Sequence, residues 1–162
     1  MEDMFNLEGI FGYTIYDDND NKISEYTGKN KIVNGSFNII VNLLTNGDPT
    51  YKLNVLKLGK GGVVNNVLQT VNVGDTTLYD EIYTAPPPEI IVNSIGDKYI
   101  KYLWTLDYSD GNGNNGVNVF NEAGLFTDAG SNELFSRKTF PSIIKDDKKK
   151  IVLFWIIKYS FV

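Results

Sequence analysis

The sequence predicts a mostly β fold, a largely antiparallel β-sandwich, with one α-helix near residues 31–45. Short segments of alternating apolar and polar residues recur along the chain, separated by clusters rich in Gly, Asn and Asp. Aromatic residues make up 13% of the chain, and Tyr and Phe favour strands. Only one segment has helical periodicity. We therefore expect residues 1–162 to form a single β-rich domain, with residues 1–9 as a candidate extended N-terminal arm.

The predicted helix follows from the spacing of its apolar side chains. They recur at intervals of four, three, one and three residues, which places them on one face of a helix: Val33, Phe37, Ile40, Val41 and Leu44. Asn46 and Gly47, with Pro49 shortly after, supply the residues that end a helix. We expect this helix over residues 31–45, with that face packed on the sheets.

The remaining elements are predicted strands. They cover residues 10–16, 22–26, 51–58, 82–83, 90–95, 99–108, 117–126, 134–135, 139–144 and 151–162. Residues 63–75 fit either a weak strand or an ordered loop. Residues 85–88, which include Pro86 and Pro87, are extended and rigid, and we interpret them as a connector within the domain.

Two of these strands carry most of the predicted core. In residues 99–108 the even positions, from Ile100 through Trp104 to Tyr108, form the core face. In the last strand the odd positions are all apolar, and the even ones are apolar until Lys158 and Ser160. This pattern predicts a central strand, buried on both faces at its start and on one face at its end. Trp104 and Trp155 are both expected in the core.

The composition excludes several classes of function. Without Cys or His there is no disulfide, no thiolate or imidazole metal ligand and no His general base. The net charge of -5 argues against binding to a nucleic-acid backbone, and the run at residues 148–150 follows two Asp in a mixed-charge turn. No apolar run reaches the roughly 18 residues of a membrane span. The first residues also lack the features of a secretory signal. We expect no cofactor, nucleic acid or membrane partner.

Two kinds of short motif are better explained as turns than as binding sites. The glycine-rich residues 59–62 and 28–29 do not match a phosphate loop, and we interpret them as tight turns that need positive φ. The spacing Asp17-x-Asn19-x-Asn21 resembles the start of a calcium loop, but Lys22 stands where that loop needs Gly. Residues 110–114 form a similar fragment without the closing carboxylate. We predict no metal site.

Three groups of residues are candidates for chemistry or binding. Carboxylates that an acid–base hydrolase of polysaccharides would need are present, although no pair is predicted to face across a cleft: Asp80, Glu81, Asp107, Glu122 and Asp128. Tyr108, beside the Gly- and Asn-rich loop at residues 109–116, is the best candidate for stacking on a glycan. Arg137, the one arginine of the chain, fits a forked ion pair with Glu122 or an exposed position at a rim.

The C-terminal part of the chain carries a family resemblance. Residues 121–127 (NEAGLFT), residues 134–145 (LFSRKTFPSIIK) and the strand with Trp155 resemble small virion proteins of phages, encoded among tail and baseplate genes. Three upstream segments resemble the same proteins in the same order: residues 30–35 (NKIVNG), 56–61 (LKLGKG) and 76–78 (TTL). The similarity therefore extends over most of the chain.

The resemblance implies a non-enzymatic structural component of a phage tail, baseplate, neck or fibre attachment site, assembled in the host cytoplasm. Such a subunit is expected to form a ring or another symmetric set with copies of itself and with other tail proteins. The candidate contact residues are Met4, Phe5 and Leu7 near the N-terminus, Pro86 and Pro87 in the connector, Tyr108 and Arg137. Two alternatives stay open: a host-receptor or glycan-binding module of a tail fibre, and a carboxylate-based polysaccharide hydrolase.

Overall fold

The structure, a computed structural model, describes residues 5–130 and 132–161. It confirms the mostly β, largely antiparallel fold. The described residues form helix α1 (Gly35–Thr45), one 3₁₀ turn (Pro49–Tyr51) and twelve strands: β1 (Phe5–Tyr16), β2 (Lys22–Lys29), β3 (Lys31–Ile32), β4 (Leu53–Gly59), β5 (Val63–Val64), β6 (Val67–Leu68), β7 (Glu81–Thr84), β8 (Glu89–Asn93), β9 (Tyr99–Leu106), β10 (Val117–Thr127), β11 (Leu134–Asp146) and β12 (Lys150–Phe161).

Two five-stranded antiparallel sheets enclose the core. Sheet I has the order β2-β1-β12-β9-β8 and sheet II the order β3-β11-β10-β4-β7, while β5 and β6 form a separate hairpin. The facing side chains of the two sheets make one buried cluster that includes Phe11, Trp104, Phe140 and Trp155. Both tryptophans lie in the core as predicted. The connector at residues 85–88 runs from β7, at the edge of sheet II, to β8, at the edge of sheet I.

Strand β12 occupies the centre of sheet I, as its apolar pattern predicts. Its odd positions from Ile151 to Ile157 are buried, because they face sheet II. Its even positions, such as Phe154, are half-buried on the outer side of the sheet, so the expectation of full burial on both faces was wrong. Phe154 is covered on that side by neighbours in the sheet, including the Lys101 ammonium 5.3 Å from its ring centre.

The N-terminal residues do not form an arm where the structure describes them. Residues 5–9 belong to β1, which pairs with β12 along its whole length, from Phe5 opposite Phe161 to Tyr16 opposite Lys150. The arm predicted for residues 1–9 is therefore wrong from residue 5 onward. Residues 1–4 lie outside the described part of the chain.

Helix α1 is shorter and turned differently than predicted. It begins at Gly35, because residues 31–32 pair as β3 with Ser136 and Arg137 of β11. Its one fully buried side chain is Ile39, which was not on the predicted face. Phe37 and Leu44 were predicted to be buried, yet 70% and 81% of their surfaces are exposed. The prediction of a helix was correct, but the helix packs on the sheets through Ile39 and not through the predicted face.

Two other segments differ from prediction in a simple way. Residues 134–135 and 139–144 were predicted as separate strands, but they belong to the single strand β11. The polar residues between them continue the strand because Arg137 is neutralised by neighbouring carboxylates. Residues 63–75 contain the short hairpin β5–β6, whose turn residues Asn65 and Asn66 both have positive φ, followed by a loop.

Candidate functional site

The outer face of sheet II carries a buried polar network around Glu122. Its Oε1 accepts hydrogen bonds from the backbone N–H groups of Gly61 at 3.0 Å and Asp80 at 2.8 Å. Its Oε2 accepts from the N–H of Tyr79 at 3.0 Å and from Nη2 of Arg137 at 2.5 Å. Four donors therefore saturate a carboxylate that is fully buried.

Arg137 is the cationic half of this network. Only 1% of its surface is exposed. Besides Glu122 it contacts Asp75, whose Oδ2 lies 2.8 Å from Nη1, so the guanidinium fork bridges two carboxylates. The Tyr79 ring covers the guanidinium, with 3.7 Å between its Cζ atom and the ring centre. The predicted ion pair with Glu122 is present, and the alternative of an exposed position at a rim is wrong, because the side chain is buried.

The network fastens residues 60–80 onto the sheet. Asn121, next to Glu122, accepts a hydrogen bond from the N–H of Gly62 at 2.7 Å, and Thr139 donates one to the carbonyl oxygen of Gln69 at 2.8 Å. A Cβ atom on Gly62 would collide with the carbonyl oxygen of Asn121. Glycines 59, 61 and 62 therefore serve close backbone approach, and the predicted positive φ is wrong for them.

The segments that carry the phage resemblance meet at this network. Residues 121–127 and 134–145 lie on β10 and β11, while residues 59–61 and the stretch after residue 76 supply the N–H donors to Glu122. Residues 30–35 also join it, since the Asn34 N–H donates to the carbonyl oxygen of Val73 at 2.7 Å. A small apolar cluster seals the same face: Val33, Leu78, Phe126 and Leu134. The motifs therefore describe one structural unit.

This unit offers little to a catalytic reaction. Glu122 has no free lone pair facing solvent, because its four partners are all protein groups. Two of the other candidate acids pair with lysines, Glu81 with Lys57 at 3.0 Å and Asp80 with Lys60 at 3.7 Å. Among residues 5–130 and 132–161, no group of three or more acidic side chains is placed to hold a metal ion.

The loop at residues 109–116 is held in place by Lys145 of β11. The buried ammonium of Lys145 donates to Oδ1 of Asn112 at 2.7 Å and to the carbonyl oxygen of Asp146 at 2.9 Å, and burial lowers the pKa of Lys145. Tyr108 is half-buried, and its hydroxyl lies 2.7 Å from the carbonyl oxygen of Asp17 and 2.9 Å from Oδ1 of Asp20. The Tyr108 hydroxyl thus links the start of the loop at residues 109–116 to the turn at residues 17–20. A tyrosine held in this way is less suited to stacking on a glycan.

The other predicted contact residues are scattered. Met4 lies outside the described residues, and Phe5 begins β1 opposite Phe161. Pro86 and Pro87 are exposed in the connector. Leu7 is half-buried and lines an apolar groove, described next. The structure therefore does not bring these residues together into one surface.

A continuous apolar surface lies elsewhere, at the open side of the sandwich. Helix α1 contains no charged residue, and its apolar side chains extend from the side that enters the core to the opposite side, while Asn38, Asn42 and Thr45 form a polar strip between them. At 3.6 residues per turn, Phe37, Val41 and Leu44 lie opposite Ile39, which enters the core. Here one side packs on the sheets and the other faces solvent.

A groove joins this helix to the edge of sheet I. It has a volume of about 470 Å³ and lies between Ile40, Leu43 and Leu44 of α1 and Ile90 of β8. Ile90 and Val92 stand on the same face of the sheet as Tyr102 and Ile100, their partners on β9, and both are half or more exposed. Of the described residues that line the groove, only Lys52 is charged. We call Phe37, Ile40, Val41, Leu43, Leu44, Ile90, Val92 and this groove the helix–edge surface.

This surface could not be predicted from the sequence for a specific reason. The apolar face of the predicted helix was expected to pack on the sheets, because an apolar residue in a regular pattern is most often buried, and residues 90–95 were predicted only as a strand. The absence of charge from residues 35–45 was the signal that could have pointed to a helix covered on both sides.

Comparison with known proteins adds no assignment. No protein-family model matches the chain, and neither a curated protein nor a solved structure matches it. In the described part of the chain, no helix has the length and apolar character needed to cross a membrane.

Proposed function

We propose that this chain is a non-enzymatic structural subunit of a phage particle, in the tail, baseplate, neck or fibre-attachment region. The observation that carries the proposal is the uncharged, half-exposed helix α1. Exposed apolar patches of more than a few hundred Å² mark surfaces that bind another protein. Four large apolar side chains of the helix–edge surface, Phe37, Leu44, Ile90 and Val92, are half or more exposed, and a stable interface buries roughly 800 Å² on each partner.

The closed network on sheet II also supports a structural role. Polar side chains of the phage-like motifs form hydrogen bonds within the chain. Asn121, Glu122 and Arg137 hold residues 60–80 against the sheet. Because all four of its hydrogen-bond partners are groups of the same chain, the Glu122 carboxylate is committed to holding these segments together and is not free to act as an acid or base. A rigid scaffold with one unfilled apolar surface suits a subunit whose work is assembly.

In this proposal the partners are other tail proteins and further copies of the chain. Copies arranged by closed symmetry would form a ring or another symmetric set, and the helix–edge surface would be covered in the particle. The protein would be made in the host cytoplasm and would reside in the virion. Glycan binding receives less support, because the hydroxyl of Tyr108 is engaged within the chain.

The test is to locate the protein in infected or induced cells of the source strain. Particles are purified through a density gradient, and peptides of this chain are quantified by mass spectrometry in the particle band and in the soluble lysate. We expect the peptides to co-purify with particles in a fixed ratio to the major capsid protein. A phage replication enzyme from the same lysate is the control, and it should stay soluble.

Two outcomes would contradict the proposal. The first is a chain that is abundant in the lysate yet depleted from the particle band to the level of the replication enzyme. The second is a measured turnover of polysaccharide that disappears when a carboxylate such as Asp107 is replaced. If the peptides do co-purify with particles, immunogold labelling of intact particles would show where in the virion the protein lies.

A further inference from the structure

The four edges of the two sheets are protected to different degrees. An edge strand presents unpaired backbone N–H and C=O groups, and proteins shield such edges with charges or keep them very short. The edge strands of sheet II are short, since β3 has two residues and β7 has four. The edges of sheet I are longer, and they differ sharply from each other.

Strand β2, one edge of sheet I, carries regular charges. Lys22, Glu25 and Lys29 lie along it, and all three form ion pairs: Lys22 with Glu25 at 3.1 Å and Lys29 with Glu8 of the neighbouring strand at 2.7 Å. Lysine and other charges on an edge oppose pairing with a further strand, because their burial would be costly. The charges of β2 therefore disfavour pairing of this edge with a further strand.

Strand β8, the opposite edge, lacks that protection. Its sequence is EIIVN, so its one charge stands at its first residue, Glu89. The three residues from Ile90 to Val92 are all apolar and exposed, Val92 by 64% of its surface. Ile95, in the turn that follows, is also exposed. An apolar edge of this kind is suited to accept a strand.

We propose that this edge accepts strand β8 of a second copy, paired antiparallel about a twofold axis at Ile91. The inference rests on the proposed function, because it names the partner of the helix–edge surface. In this register Ile91 faces Ile91 of the second copy, Ile90 faces Val92, and Glu89 faces Asn93. The two Glu89 carboxylates then lie about 13 Å apart along the strands, beyond the screening length of about 8 Å. A shift by one residue would put Glu89 opposite Val92 or Asn93 opposite Ile90.

The twofold axis also determines where the helices lie. Antiparallel pairing of two identical edges needs an axis perpendicular to the sheet, so both copies present the same face on the same side. Helix α1 packs over that face, since it lines the groove together with Tyr102 and Ile100. The two helices therefore flank the junction on one side of a continuous ten-stranded sheet. Pairing of β8 thus unites the exposed edge and the exposed helix in a single interface.

The oligomeric state of the full chain is the first test. Sedimentation equilibrium should give a dimer of about twice 18.2 kDa for the wild type. Val92→Lys should weaken the dimer about 100-fold, because each copy buries an unpaired ammonium in the interface. Ile23→Lys is the matched control, since Ile23 is 54% exposed on the β2 edge of the same sheet, and it should leave the dimer unchanged. Urea unfolding of each variant checks that the fold is intact.

The register is tested by cross-linking, which the absence of cysteine from this chain makes simple. Ile91→Cys places two thiols opposite each other, with about 4.5–5.5 Å between Cα atoms, within the range for a disulfide. With diamide as oxidant, this variant should form a covalent dimer on a non-reducing gel. Val92→Cys should not, because its two Cβ atoms lie about 7–8 Å apart across the diagonal. Ile23→Cys should behave like Val92→Cys.

Each result separates this inference from the proposed function. A monomeric wild type, or a dimer that Val92→Lys and Ile23→Lys affect equally, overturns β8 pairing, whatever the particle experiment gives. Rapid cross-linking of Ile23→Cys instead of Ile91→Cys would move the interface to β2 and overturn it as well. A β8 dimer that is absent from purified particles would contradict the proposed function and leave the pairing established.

Discussion

The Glu122–Arg137 network and helix α1 depart from simple hydrophobic burial in opposite directions. In the network two charged groups are buried, and every oxygen of Glu122 is matched by a donor. In the helix apolar side chains are exposed, and Phe37 and Leu44 face solvent beside an open groove. Both regions touch β11, since Arg137 lies on it and α1 packs against its start.

The difference separates folding from assembly. A buried charge is tolerable only when its partners lie within the same chain, so the network must be complete before any second protein arrives. An exposed apolar helix lowers the stability of the folded chain only slightly. When a partner covers the helix, burial of its apolar surface favours association. The motif residues with polar side chains therefore belong to the fold, whereas Leu43 and Leu44 of α1 and Ile90 of β8 would belong to the proposed interface.

The largest predicted effect breaks the network. Glu122→Ala should lower the free energy of unfolding by about 3–5 kcal/mol, because it leaves Nη2 of the buried Arg137 and three backbone N–H groups without their acceptor, although Nη1 keeps Asp75. Urea unfolding followed by Trp fluorescence measures this, since Trp104 and Trp155 report on the core.

A double-mutant cycle provides the control for this prediction. Arg137→Met removes the buried cation that loses its Glu122 partner in the first variant, so the double variant Glu122→Ala with Arg137→Met should be less unstable than the sum of the two single variants. A loss below about 1 kcal/mol for Glu122→Ala would contradict the role assigned to the network. Additive single effects would show that Glu122 and Arg137 act independently.

Most of the fold follows from local patterns in the sequence. Trp104 and Trp155 stand in strands whose alternation or apolar run is long, and both are buried as expected. The pairing of Arg137 with Glu122 was one of two alternatives, because a single arginine in a lysine-using chain suggests a need for a forked donor. Asp75, the second acid on that fork, could not be predicted, because 62 residues separate it from Arg137 and no pattern records the contact.

The candidate interface was harder to predict for a physical reason. The apolar residues of α1 have the same helical spacing whether they face a core or a partner. The sequence therefore does not distinguish residues buried on folding from residues buried on assembly. Ile39 rather than Phe37 enters the core because β3 takes residues 31–32 into sheet II and thereby determines how α1 starts. That choice depends on long-range pairing with β11.

The second prediction concerns Tyr102, which lies where the closed core meets the open groove. Burial raises the pKa of Tyr102 from 10.0 to about 12. Since the folded value is above the unfolded one, the stabilisation is complete below about pH 10 and is lost as the pH rises towards 12. The loss amounts to roughly 2–3 kcal/mol. Tyr102→Phe should therefore unfold less readily than the wild type at pH 11.

The comparison between the two pH values isolates this effect. Burial also raises the pKa values of Tyr13 and Tyr83, so the wild type and the variant should both lose stability in alkali. The gain from Tyr102→Phe should be absent at pH 7 and appear only above pH 10. A gain of equal size at both pH values would attribute it to packing and contradict the assignment to ionisation.

The smallest predicted effect concerns the exposed side of α1. Phe37→Ser should change the free energy of unfolding of the isolated chain by no more than about 0.5 kcal/mol, because the Phe37 ring is mostly in water already. Two residues away, Ile39→Ala should cost about 2–5 kcal/mol, since it leaves a cavity in the core. Phe37→Ser should nevertheless weaken the dimer, as sedimentation equilibrium would show. If Phe37→Ser instead destabilised the monomer as much as Ile39→Ala, the outer side of α1 would belong to the fold, and its proposed part in assembly would be lost.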